Sequence, residues 1–116
     1  MADRVVLCGA NSYEQKYYFN KDFALIPEDI QNEIHILCVL FTEDVGGILT
    51  LVFDEEGHLQ LETTVDDGDY LYDEIESKLL IGRITRSKQE IFRSLEMFYR
   101  VFILGESMED ALKEEE

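Results

Sequence analysis

The spacing of hydrophobic positions changes period along the chain, and each change predicts an element. Residues 4–8, RVVLC, read as a short buried strand, and Gly9, Ala10, Asn11 and Ser12 supply a turn. Residues 15–20, with Tyr17, Tyr18 and Phe19, read as a second strand; the competing reading takes Ser12 as an N-cap with Gln15 at N3 and starts a short helix there. Pro27 at a first helical position, followed by Glu28 and Asp29, marks a helix start, because proline needs no amide partner there and the helix dipole favours anions. Ile30, Ile34, Leu37 and Phe41 then recur at helical spacing until Gly46 and Gly47 end the run.

The period next falls to two. Leu49, Leu51 and Phe53 alternate with Ile48, Thr50 and Val52, a tight turn follows over residues 54–57, and Leu59, Leu61 and Val65 alternate with Gln60, Glu62 and Thr64. This is a β-hairpin whose loop ends on Gly57, a residue suited to a left-handed position. Asp66, Asp67, Gly68 and Asp69 form a turn whose aspartates are cap candidates for a helix in which Leu71, Ile75 and Leu79 fall four apart, interrupted at Gly82. Ser87 and Glu90 make a capping-box pattern, after which Ile91, Phe92, Leu95, Phe98, Tyr99 and Phe102 form a broad apolar face up to Gly105.

The order β-β-α-β-β-α-α predicts an α+β domain, an antiparallel sheet of about four strands with helices packed on one face. One domain over residues 1–106 and a short acidic C-terminal tail over residues 107–116 are expected, with no internal repeat or linker. The hairpin is apolar on both sides, so its second side calls for a further cover, and a homodimer partner is the simplest candidate. The 46% hydrophobic content suits a folded globular chain, and the longest apolar run, residues 36–41, is far too short to span a membrane. The N-terminus lacks a signal peptide's basic leader and the two cysteines make no disulfide framework, so a cytoplasmic location is expected.

Charge sharpens the picture. The formal net charge is −16, yet no lysine or arginine occurs between Lys21 and Lys78, a stretch that holds 16 of the 26 carboxylates. Such a field repels nucleic-acid phosphates and anionic lipid and attracts basic protein surfaces over about 8 Å at physiological salt. The expected partner is a protein with a basic surface, and neither nucleic acid nor membrane. The candidate contact residues are Asp54, Glu55, Glu56, Asp66, Asp67, Asp69 and Asp73, with Tyr70 and Tyr72 as interleaved aromatic anchors. A basic run, Lys78, Arg83, Arg86, Lys88 and Arg93, reads first as suitably charged helix surface, and second as a patch able to meet the acidic segment of another copy.

Other chemistry is weakly signalled. An EF-hand frame started at Asp67 puts Leu71 at its fifth position and Lys78 at its twelfth, where a bidentate glutamate belongs. A solvated turn is the better account. Cys8, His35, Cys38 and His58 would make a Cys2His2 metal or small-ligand set if the fold gathered them, but their spacing matches no zinc motif. Structural cysteines are favoured, since little positive charge lies near either thiol in sequence to activate it. Neither a phosphate-binding glycine loop nor a dinucleotide fingerprint is present, so no cofactor is expected, and the five serines lie in no nucleophile-elbow context.

The strings VVLCGANSYEQKYYFNKDF, IPEDIQNEI, CVLFTEDVGGILTLVFDEEGHLQLE, YDEI and LEMFYRVFILGE, taken together, resemble a family of small bacterial proteins of unknown function, over nearly the whole chain to about Glu106. The resemblance implies a bacterial cytosolic protein and supplies no catalytic residues. The function expected is that of a non-enzymatic, acidic protein-interaction module, an adaptor, regulator, chaperone or inhibitor. The alternative is the small-ligand or metal-binding domain built on Cys8, His35, Cys38 and His58.

Overall fold

The computed structural model describes residues 4–107 and 109; the tail expected over residues 107–116 lies almost wholly outside them. Four strands, β1 (Val5–Asn11), β2 (Lys16–Phe19), β3 (Ile48–Phe53) and β4 (Leu59–Thr64), form one antiparallel sheet in the order β2-β1-β3-β4. Three helices, α1 (Glu28–Val45), α2 (Glu74–Ser87) and α3 (Gln89–Phe98), complete the α+β architecture. Lys16–Phe19 are therefore strand, as the aromatic run implied, with Gln15 in the turn before them and Asn20 past their end, and Ser12 caps no helix there; its hydroxyl donates to the Gly47 carbonyl at 2.7 Å.

The first hairpin leads through a single 3-10 turn, Lys21–Phe23, into α1, which returns the chain along the sheet so that β3 starts beside the end of β1. Pro27 stands one place before the first helical residue, and its carbonyl accepts the amides of Ile30 and Gln31 at 3.0 Å. The register of β1 on β3 shifts between Val6 and Cys8, leaving Leu7 as an extra residue. This bulge turns both Val5 and the pair Cys8 and Ala10 to the side of Phe53, Leu51 and Leu49. The consequence is a core of Leu7, Cys8, Ala10, Leu49, Leu51 and Phe53 under Ile34, Leu37, Cys38 and Phe41 of α1 and Phe92, Leu95 and Tyr99 from the C-terminal helix. Aromatic rings close its lower end, with Phe53 and Tyr99 stacked at 4.3 Å.

The far side of the hairpin is covered from within the chain at its centre. Arg4 and Glu62 form an ion pair from the β1 end to β4, and Val52 on the strand between them is only 3% exposed. Among the described residues no helix is long and apolar enough to cross a membrane.

Several local expectations change. Gly9, Ala10 and Asn11, expected in a turn, belong to β1 and pair with Tyr18, Tyr17 and Lys16, so the turn starts at Ser12, and Leu71, expected in a helix, lies ahead of α2. α2 runs unbroken through Gly82, because one glycine costs only about 1 kcal/mol against alanine in a helix and packing outweighs it. Its cap is Asp73, outside the 66–69 turn, accepting from the Ile75 and Glu76 amides at 3.0 Å. Ser87 belongs to the end of α2 and donates to the Ile84 carbonyl, so the Ser87–Glu90 capping box does not form. The C-terminal helix is α-helical only to Phe98 and widens into a π turn, Tyr99–Ile103, before Gly105 takes a left-handed φ of 76°.

Candidate functional site

The second hairpin divides the predicted acidic surface into two edges. Phe53 pairs with Leu59 at one end of β3 and β4, and Ile48 pairs with Thr64 at the other. Six residues of strand separate them, about 20 Å. Asp54, Glu55 and Glu56 occupy the first end, while Asp66, Asp67, Asp69, Tyr70, Tyr72 and Asp73 occupy the second.

At the first edge, Asp54 builds the turn. Its Oδ1 accepts the amides of Glu56 and His58, each at 2.9 Å, and its Oδ2 accepts the Gln60 amide at 3.1 Å. Burial opposes its charge, but these amides outweigh it and hold the carboxyl below the usual aspartate range. Gly57 takes φ +88°, and a Cβ there would come within 3.2 Å of the Arg100 stem, so the turn is fitted closely over the π turn. His58 lies 3.7 Å from Glu56 and 3.3 Å from the buried Arg100, so cationic or potentially cationic groups sit among these carboxylates.

The second edge is different. Because α1 ends at Val45 and Gly46 and Gly47 lead straight into β3, Glu43 and Asp44 arrive at the same end of the sheet as the 66–76 segment. Eight carboxylates thus gather there: Glu43, Asp44, Asp66, Asp67, Asp69, Asp73, Glu74 and Glu76. None of them has a salt-bridge partner among the described residues. Arg83, Arg86 and Arg93 form no salt bridge among the described residues either.

Hydrogen bonds anchor this edge. The Tyr13 hydroxyl donates to Asp69 at 2.5 Å and accepts the Asp66 amide at 3.2 Å, which raises the tyrosine pKa chiefly through the Asp69 bond. Tyr72 is half-buried: its ring lies where a Cβ on Gly47 would stand 2.9 Å away, and its hydroxyl is 2.5 Å from Ser77 Oγ. Tyr72 therefore fastens the loop, and Tyr70, 94% exposed, remains as the available aromatic.

Of the four residues in the metal or ligand alternative, the fold brings two together. Cys8 and Cys38, both fully buried, place their sulfurs 3.9 Å apart. The shared hydrogen favours the Cys8 thiolate, while the contact with Cys8 and then burial push the Cys38 thiol up. His35 stacks on Tyr17 at 4.0 Å beside them, lining a groove with Ala10, Val39 and Thr42. The Tyr17 hydroxyl oxygen is buried with no hydrogen-bond partner among the described residues, and burial, then the nearby Cys8, raises its pKa. His58 is two strands away in the β3–β4 turn. No group of three or more His, Cys, Asp or Glu suited to a metal occurs among the described residues.

A family model described as a family of unknown function (DUF6145) matches residues 4–107. The chain belongs to DUF6145. The match takes in both acidic edges, the thiol pair and all three helices of this DUF6145 chain. It agrees with the resemblance drawn from the strings along the sequence. No curated protein and no solved structure is matched.

Sequence reasoning missed two features of the DUF6145 fold. Glu43 and Asp44 join the second edge, which their position at the end of a predicted helix ahead of Gly46 and Gly47 could have signalled. An apolar groove of about 300 Å³ also lies between α1 and α2, lined by Ile36, Leu37, Leu40 and Phe41 against Leu80 and Ile84. Its helix-to-helix pairing has no local sequence signal.

Proposed function

We propose that the chain is a non-enzymatic protein-interaction module whose carboxylate-rich end receives a protein with a basic surface. The observation that carries this reading is the gathering of eight carboxylates at one end of the sheet, with no salt bridge to them among the described residues. Uncompensated like charges in one place raise the local potential, speed encounter with a cationic partner and disfavour anionic ones. Asp66, Asp67, Asp69 and Asp73 supply charge, and exposed Tyr70 supplies the apolar anchor that a purely electrostatic contact lacks. Asp54, Glu55 and Glu56 form a second, separated contact edge, weakened as an attractor by His58 and Arg100. Adaptor, regulator, chaperone and inhibitor roles of a cytoplasmic bacterial protein all use such a surface. A second copy of the chain is the other partner proposed.

Affinity purification from the native cell tests the reading. Captured partners are expected to carry basic surfaces and to elute between about 0.1 and about 0.5 M salt, as screening shortens the reach of the field. The D66N/D67N/D69N variant is expected to lose them. A captured partner that is acidic, or one that ignores both salt and the variant, overturns the proposal. The alternative, a metal or small-ligand site on Cys8, His35, Cys38 and His58, draws support only from the contact between the two thiols.

A further inference from the structure

The apolar residues spaced four apart in the sequence do not face the core. On α2, Ser77, Leu80, Ile81 and Ile84 are the buried or half-buried face, whereas Ile75 and Leu79 are 74% and 64% exposed; Leu71, 96% exposed, lies in the turn before the helix. Ile75 and Leu79, one helical turn apart, form an apolar strip in solvent, and adjoining exposed apolar side chains of this kind suit a contact surface. On α2 the strip continues through Gly82 to Arg86, so Ile75, Leu79, Gly82 and Arg86 follow the four-three-four spacing of a helix-packing seam. Gly82 belongs to this seam and to no close contact within the subunit. A Cβ there would meet only the end of the flexible Arg86 side chain, at 3.4 Å.

The flanking charges identify the occupant. The start of α2 is acidic, with Asp73, Glu74 and Glu76, and the rest is basic, with Lys78, Arg83 and Arg86. The helix dipole explains charges at the two ends but not the apolar strip between them. Glu76 and Arg83, both exposed, flank the strip on the same side and have no salt-bridge partner among the described residues. We propose that α2 is the interface of a two-fold homodimer, in which the helix pairs antiparallel with α2 of a second copy. Two-fold antiparallel pairing turns the acidic half of one helix onto the basic half of the other. Centred between Leu80 and Ile81, it sets Leu79 against the partner's Gly82, Ile75 against the stem of the partner's Arg86, and Glu76 beside the partner's Arg83. Each contact occurs twice. The missing side chain at Gly82 leaves room for Leu79 and lets the backbones approach closely, which gives the glycine a purpose. The pairing shares the start of α2, Asp73, Glu74 and Glu76, with the carboxylate-rich end, and leaves Asp66, Asp67 and Asp69 of the preceding turn for a basic partner.

Sedimentation velocity of the full chain from about 1 to about 100 μM tests the pairing. A species of twice the 13.5 kDa chain mass is expected. Leu79→Asp and the milder Leu79→Ser, at an exposed position, are expected to shift it to monomer with unchanged circular dichroism. Glu76→Arg and Arg83→Glu are each expected to raise the dissociation constant about tenfold, and the E76R/R83E double variant to restore it. The sign at Glu76 is diagnostic. Glu76→Arg lowers the net negative charge, so general repulsion alone predicts stronger association where specific pairing predicts weaker. A wild-type chain that stays monomeric throughout overturns the proposal, as does a dimer indifferent to Leu79 or a double variant no better than the singles.

Discussion

Asp54 illustrates how a carboxylate that looks free in sequence becomes part of the scaffold. Its two bonds from backbone amides close the β3–β4 turn, and hydrogen bonds to a charged acceptor are among the stronger ones available to a folded chain. Asp54→Ala is expected to cost about 1–2 kcal/mol at neutral pH, read from urea denaturation. Because folding depresses this pKa, the stabilisation is complete above the unfolded value of about 3.8 and is lost as pH falls through the lower folded value. The gap between wild type and variant should therefore narrow from about pH 6 to about pH 2.5; a gap that stays constant would refute the assignment. Cys8 and Cys38 obey similar logic in the core, where two thiols satisfy one another across the β1–α1 contact.

At the scale of the element, α2 carries two faces of different use. Its inner face, Ser77, Leu80, Ile81 and Ile84, docks on the domain, and its outer strip leaves apolar side chains in solvent. Gly82→Ala separates the two roles. Alanine favours the helix by about 1 kcal/mol at an interior position, and the only neighbour a new Cβ meets is movable. The variant monomer should therefore resist denaturant better than the wild-type monomer, measured at concentrations below dimerisation. A loss of monomer stability would mean that Gly82 is held by packing inside the subunit.

The whole molecule is an uneven distribution of charge around an ordinary core. A net charge of −16 meets few internal ion pairs, and those among the described residues lie on the surface, such as Lys16 with Glu14 and Lys88 with Glu33. Self-repulsion of this kind destabilises a compact state, and salt screens it over a Debye length that shrinks from about 20 Å at 0.02 M to about 4 Å at 0.5 M. Added sodium chloride is expected to raise the thermal midpoint by several degrees across that range. A midpoint that falls instead would show that attractive pairs, not repulsion, dominate the surface.

Local periods alone determined much of this protein. Alternation over residues 48–53 and 59–64 produced the second hairpin, the four-three-four spacing from Ile30 to Phe41 produced α1, and their order led to the β-β-α-β-β-α-α architecture. Such patterns are legible because they depend on neighbours two to four positions apart. The charge asymmetry was legible too, as a property of composition. Tertiary structure alone decided which face of α2 meets the core: both faces carry apolar residues, and only the helix's docked position selects Ser77, Leu80, Ile81 and Ile84. It likewise split one acidic segment into two edges, added Glu43 and Asp44 to the second, and set Cys8 on Cys38 through a bulge at Leu7. Those outcomes depend on register and on residues far apart in the chain, and a side chain's face or neighbour is fixed only when the partner element is in place.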